Sequence, residues 1–221
     1  MCGRVVATSK RDDLAGLFDV DAVVGPELAP AYNAAPDATL YAVADTGQGR
    51  RLGCMRWGFV PSWSADPRRG PRPTNARVET LLDNRLFSDA LHRRTCLIPV
   101  DGFYEWMDGP EGKQPFLLQA SDGSALVLAG LWSRWSGNGF EPVTTFAVVT
   151  CPANEDMAPL HDRMPVLLPS DAWHTWLDRS GTDAARRLAL LRPVPAGSLA
   201  VQAVSRRVND ARNNDPELLS A

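Results

Sequence analysis

Apolar residues along this chain fall into short runs separated by clusters of turn-forming residues, a pattern that predicts more strand than helix. Val5–Ala7 is a short predicted strand, and Leu14, Leu17 and Phe18 are spaced for one face of a helix that Ser9 would cap. Residues 25–38 contain three prolines and Asn33 and predict an irregular surface loop. Thr39–Val43 and Leu52–Trp57 predict strands flanking the turn Asp45-Thr-Gly-Gln-Gly-Arg50. Residues 61–73 hold four prolines, several arginines and Trp63, and make a loop too long to be only a connector. Helical spacing spans Val78–Ala90. Strands are then predicted at Thr95–Val100, Pro115–Ala120, Ala125–Leu131, Thr144–Thr150 and Val166–Leu168. Helices follow at Ser170–Leu177 and Thr182–Leu190, and Val201–Ser205 is a final strand. With no repeat and no linker in view, the prediction is one α+β domain over residues 1–221. It is built on a strongly curved, barrel-like antiparallel β-sheet with peripheral helices.

Composition narrows the class. Of the 221 residues 44% are hydrophobic and 22% charged, the balance of a globular domain with a real core. No run approaches the roughly 18 apolar residues of a membrane span, and no signal-like start is present, so a cytoplasmic protein is expected. Cys2, Cys54, Cys96 and Cys151 are far apart and form no Cys-x-x-Cys pair, so free thiols are expected, with neither metal nor cofactor.

The net charge of −3 argues against a nucleic-acid partner until its distribution is considered. Between Arg50 and Arg94 ten arginines face four acids, a local excess of +6 on an otherwise acidic chain. That asymmetry fits either an anion-binding face or a solvated arginine-rich surface.

Four segments carry candidate chemistry. Met1 before a residue as small as cysteine is normally removed, which leaves Cys2 with an α-amine and a thiol two carbons apart. One aldehyde carbon can condense with both, closing a five-membered thiazolidine; the plain alternative is a small second residue with no role. In Asn75-Ala-Arg77-Val-Glu79, alternation places amide, guanidinium and carboxylate on one side, as a reactive cleft or as a polar strand face. In Ile98-Pro-Val-Asp-Gly-Phe-Tyr-Glu-Trp106, a buried strand meets a break at Gly102 and sets Glu105 between two aromatics. That setting suits proton shuttling, or else a carboxylate paired with an arginine. His161-Asp-Arg163 opens a polar loop before a strand, a common position for a histidine acting as acid or base.

Together these segments resemble the SRAP family (SOS-response-associated peptidase), also called abasic-site processing proteins. The matching stretches are Met-Cys-Gly-Arg4, Tyr32-Asn-Ala-Ala-Pro36, Trp57-Gly-Phe-Val-Pro61, Asn75–Thr80, Cys96–Trp106, Lys113-Gln-Pro115, Ala129-Gly-Leu-Trp132, His161–Pro165 and Val204–Asn209, in family order. The resemblance implies covalent capture of abasic sites in single-stranded DNA, with Cys2 as nucleophile, Asn75 orienting it, Glu105 moving protons and His161 protonating the sugar oxygen. It also implies phosphate contacts from Arg4, Arg77, Arg85 and Arg163, stacking by Trp63, DNA contact by Trp106, and Asn33 within a segment reaching into the DNA cleft. Weak lyase activity would accompany capture. The implied protein is a monomer of the bacterial cytoplasm, nucleoid-associated when on DNA. Where the family often has two adjacent tryptophans after the equivalent of Pro61, this chain has Pro61-Ser-Trp63-Ser64 and an arginine-rich extension. The rival expectations are a cysteine-type peptidase acting through Cys2, and a passive single-strand binder.

Overall fold

Trp57 and Phe146 lie side by side, their rings stacked with centroids 6.2 Å apart, where the end of one strand meets the middle of another. That contact closes the fold. The computed structural model describes residues 2–110, 112–137, 139–179 and 184–220. In chain order the strands and helices begin with β1 (Val5–Ala7), α1 (Arg11–Leu17), β2 (Ala22–Val23), β3 (Ala31–Ala34), β4 (Thr39–Asp45) and β5 (Arg50–Trp57). Next come β6 (Asn75–Arg77), α2 (Ser88–Arg93), β7 (Thr95–Val100), β8 (Gly102–Met107) and β9 (Gln114–Ala120). The chain continues through β10 (Leu126–Gly137), β11 (Phe140–Pro152), β12 (Arg163–Pro165), α3 (Trp173–Leu177), α4 (Ala184–Leu190) and β13 (Leu199–Ala203).

Strands β5, β4, β7, β10 and β11 pair in that order, each antiparallel to the next. Parallel pairing of β11 with β5 then completes a closed ring. The expected curved, barrel-like sheet of an α+β domain is therefore present, but its closing seam is parallel. Alternating side chains explain why these strands curl around one core. Leu52, Trp57, Leu97, Leu128, Leu131 and Phe146 are all fully buried in a single apolar cluster. Removing such area from water is the main driving term, on the order of 25 cal/mol per Å² of apolar surface.

A second antiparallel sheet, ordered β13-β9-β8-β1-β3, flanks the barrel. Its outer face carries a smaller core of Val6, Tyr104, Leu117, Val204, Val208 and Leu218, covered by the C-terminal segment with 3-10 turns at Arg206–Asn209 and Pro216–Leu219. No helix among the described residues is long and apolar enough to cross a membrane.

Local expectations shift where a side chain finds a better partner. Ser9 does not cap α1: its hydroxyl and that of Thr8 both bind the Asp101 carboxylate, and the helix starts after Lys10 without a side-chain cap. The helix expected over Val78–Ala90 breaks into a 3-10 turn at Val78–Thr80 and the short α2. Between them the Asn84 side chain accepts from Leu86 N–H at 3.0 Å and its carbonyl accepts from Phe87 and Ser88. The expected strand at Val166–Leu168 is centred earlier, on β12, followed by an isolated bridge from Leu167 to Leu128. Thr182, expected to open a helix, lies outside the described residues.

Gly102 is not a break. It starts β8, and an added Cβ there would stand 2.9 Å from the Leu118 carbonyl and 3.0 Å from a Leu117 methyl. Glycine lets β8 and β9 approach. Gly102→Ala is expected to destabilise the protein by about 2 kcal/mol through overpacking. Urea unfolding measures this, and an unchanged midpoint would mean that the two strands part at no cost.

Candidate functional site

The chain segment before β1 carries Cys2 to the junction between the two sheets, where the residue is fully buried and its thiol is free. Asn75 meets it from the barrel side. As the first residue of β6, Asn75 is set by parallel pairing with Val148 on β11, and its Nδ2 donates to the Cys2 carbonyl at 2.9 Å. The same nitrogen donates to Thr74 Oγ1 at 3.1 Å. Its other amide atom, Oδ1, is buried with no hydrogen-bond partner among the described residues. A buried acceptor without a donor is costly and rare in native folds.

Glu105, on β8, is only 6% exposed and close enough for its charge to act on the Cys2 sulfur. Burial first, and the Glu105 carboxylate second, push the Cys2 thiol up to about 12, so the sulfur holds its proton at neutral pH.

Above this pair opens a cavity of about 740 Å³ lined by Arg4, Glu105, Trp106, Asp108, Lys113, Leu160, His161 and Asn209. Four residues singled out from the sequence, Arg4, Glu105, Trp106 and His161, thus share one cleft. His161 is positioned by its own N–H, which donates to Met157 O at 3.0 Å. Its Nδ1 accepts from Arg163 N–H at 2.9 Å and lies 2.7 Å from Asp162 Oδ1. A ring nitrogen cannot accept from one and donate to the other at once. The neutral ring takes the Arg163 N–H and carries its proton on Nε2; the cationic ring pairs with Asp162.

Arg4 forms part of the wall. Its Nη1 donates to Asn33 Oδ1 at 2.7 Å and to Val208 O at 2.8 Å, and its guanidinium lies 5.6 Å from the Trp106 ring centroid. Burial lowers its pKa, against the opposing fields of Tyr104 and Asp210. Asn33 corrects an expectation: it belongs to β3 and not to an irregular loop, and is 3% exposed. Its Nδ2 donates to the carbonyls of Val208, Asp210 and Asn213. It therefore stands behind the wall and clamps the C-terminal segment to Arg4 instead of reaching into the cleft. Trp106 is fixed by its indole N–H, which donates to Asn209 Oδ1 at 2.7 Å.

The remaining candidates lie around this centre and do not line it. Arg163 forms a two-pronged pair with Glu79, 2.9 Å at Nη2, and also donates to Thr150 O. Arg77 and Arg85 are exposed. Trp63 is 68% exposed, on the arginine-rich loop that returns to the barrel one residue before Asn75. Within that loop Arg68 and Arg69 both pair with Asp66, and Arg68 stacks on Phe140. Arg56 and Arg72 pair with Asp37, and Arg93 and Arg94 with Asp89. Much of the local basic excess is thus spent in ion pairs on the protein itself.

Sequence reasoning gave no role to Asp108, Lys113, Leu160 or Asn209. They come from a hairpin turn, a loop and a 3-10 turn, where no periodicity marks a functional side. Among the described residues no group of three or more His, Cys, Asp or Glu side chains is placed to hold a metal ion.

The model of the SOS response associated peptidase (SRAP) family matches residues 1–211. The chain is 35% identical over 223 residues to the abasic site processing protein YoqW of Bacillus subtilis, covering the whole of both chains. It is 37% identical over 224 residues to the abasic site processing protein YoaM of the same organism, covering 100% of this chain and 98% of the relative. A crystal structure of a Bacteroides thetaiotaomicron protein superposes over the full length of both chains with a TM-score of 0.87 at 19% identity, which shows a shared fold.

Proposed function

Because this chain belongs to the SRAP family, whose curated relatives are named abasic site processing proteins, we propose that it processes abasic sites in DNA by covalent capture on Cys2. The substrate is single-stranded DNA bearing the ring-opened, aldehyde form of the lesion. The observation that carries this reading is the hydrogen bond from Asn75 to the Cys2 carbonyl, which holds the second residue beside Glu105 beneath an open polar cleft.

In this reading Met1 is removed, and the α-nitrogen of Cys2 changes from an amide to a nucleophilic amine. A cationic His161 gives its Nε2 proton to the sugar ring oxygen as the ring opens, and the neutral ring regains a proton from the anomeric hydroxyl as that oxygen becomes the aldehyde. The amine then adds to the aldehyde carbon and water leaves, giving an imine. Because the thiol is held protonated, sulfur is not the first nucleophile. The positive charge of the protonated imine beside the sulfur then favours thiolate. Glu105 takes the thiol proton, and sulfur closes onto the same carbon. The net change is one C–N bond and one C–S bond formed, with one water lost. Asn75 Oδ1, buried and lacking a donor, accepts from the new amine or from a sugar hydroxyl.

Arg4, Arg77, Arg85 and Arg163 meet phosphates along the strand, with Arg163 shared between phosphate and Glu79, and Trp63 and Trp106 stack on bases. Asn33 acts through Arg4. An imine that fails to close onto sulfur can lose a proton from the adjacent carbon and expel the 3′ phosphate, so slow strand cleavage accompanies capture. The peptidase reading has less support. A thiol pushed up to about 12 is a poor nucleophile, and no hydrogen bond among the described residues joins Cys2 to His161.

Incubation with abasic, intact and borohydride-reduced abasic oligonucleotides, followed by denaturing electrophoresis, tests the proposal. A slow-migrating adduct is expected only with the aldehyde-bearing strand; turnover of peptides without any adduct would refute it. Asn75→Ala is expected to slow adduct formation by about 100-fold, since a displacement near 1 Å at the reacting centre is worth that much. A rate within twofold of wild type would remove Asn75 from the mechanism.

A further inference from the structure

Two cations line the cleft, and they differ in what else they do. The Arg4 guanidinium is committed to Asn33 and Val208 and lies against Trp106. Lys113 is exposed, and among the described residues its ammonium makes no hydrogen bond or ion pair, although its backbone is fixed: Asn209 donates to the Lys113 carbonyl at 3.4 Å while accepting from the Trp106 indole at 2.7 Å. The lysine is therefore rooted to the same tryptophan that walls the cleft. Next to it Gln114 donates to the carbonyls of Pro115 and Val204, which ties the start of β9 to the C-terminal segment. The chain places lysine at only two positions, Lys10 and Lys113, and otherwise uses arginine.

The charge balance of the cleft calls for such a group. Glu105 and Asp108 both line it, and their carboxylates repel an incoming phosphodiester. Arg4 stands in the same wall, but it is bound to Asn33 and Val208 and its charge interacts with Tyr104 and Asp210. A phosphate entering this cleft is met best by a cation able to move toward it. A lysine on a flexible stem and a fixed root can do so.

We propose that Lys113, anchored through Asn209 and Trp106, binds the phosphodiester flanking the lesion sugar. This rests on the reading of the cleft as a site for abasic single strands. It assigns the contact that holds the backbone while Cys2 reacts, on the side of the cleft formed by the turn between β8 and β9.

Binding is measured with a single strand carrying a tetrahydrofuran lesion analogue, which has no aldehyde and forms no covalent bond. For a single strand each phosphate contact contributes about 0.7 to the slope of log K against log salt. Lys113→Ala is expected to flatten that slope by about this amount, so that a tenfold rise in salt shrinks its deficit relative to wild type by about fivefold. Lys113→Arg, which keeps the charge, is expected to keep the wild-type slope. Parallel plots for wild type and Lys113→Ala would overturn the proposal. So would Lys113→Arg behaving like Lys113→Ala, or a borohydride-stabilised adduct of the natural lesion on Lys113, because each points to the amine and not the charge. Loss of the Cys2 adduct in wild type would instead undermine the reading of the cleft, and it is scored on the aldehyde-bearing strand alone.

Discussion

Replacing Cys2 with alanine is expected to abolish the heat-stable adduct with abasic single strands altogether, the largest effect of any single substitution. The variant still loses Met1 and still presents an α-amine, so the imine forms. Without sulfur no ring closes, and the imine reverts with water or proceeds to strand cleavage. Two readouts follow. Denaturing gels without reductant show no adduct, whereas borohydride added during the reaction restores one. Cleavage at the lesion rises relative to wild type, because the intermediate that sulfur would have captured persists. A stable adduct with the alanine variant in the absence of reductant would contradict the sulfur step.

Glu105→Gln comes next in size. A positioned proton carrier is worth about 10²–10⁴ in rate, so capture is expected to slow by at least about 100-fold. Reversal of a preformed adduct slows in parallel, since the same proton must return to sulfur. The substitution also acts in the opposite direction. It removes the carboxylate whose field helps to hold the Cys2 thiol protonated, and this alone would speed attack by sulfur. That field ranks behind burial among the causes of the shift, and burial is unchanged, so loss of the proton acceptor dominates. Binding of a strand without an aldehyde does not weaken, because removing a negative charge from the cleft eases the approach of phosphate. Equal rates for the variant and wild type in both directions would remove Glu105 from the proton path.

Much of the barrel was legible because its strands announce themselves locally. The strand cores of β4, β5, β7 and β9 fall within a few residues of the alternating runs that predict them. The closing seam was not legible. Parallel pairing of Thr145 with Arg56 and of Phe146 with Trp57 joins residues about ninety positions apart, and nothing in either strand specifies the partner. β3 escaped for another reason: it is four residues long, lies between prolines, and exists because β1 beside it offers an edge. At β6 the alternation from Asn75 had already allowed a polar strand face, which extends only to Arg77.

The site divides in the same way. Cys2, Glu105 and His161 stood out by chemical type in local context and by resemblance. Their convergence needed the fold, because Asn75 reaches Cys2 across 73 positions and Asn209 reaches Trp106 across 103. Asn33 shows the reverse hazard. Its place among prolines suggested an irregular surface loop, and the resemblance a segment reaching into the cleft, whereas its amide binds three carbonyls of a segment some 175–180 residues away.

The intact mass of the protein, before and after incubation with an abasic single strand, tests the covalent step most directly. The expected starting mass lacks one methionine residue, and the expected product equals that mass plus the oligonucleotide less one water. Full trapping by a protein that still retains its initiator methionine would show that the bond is made elsewhere.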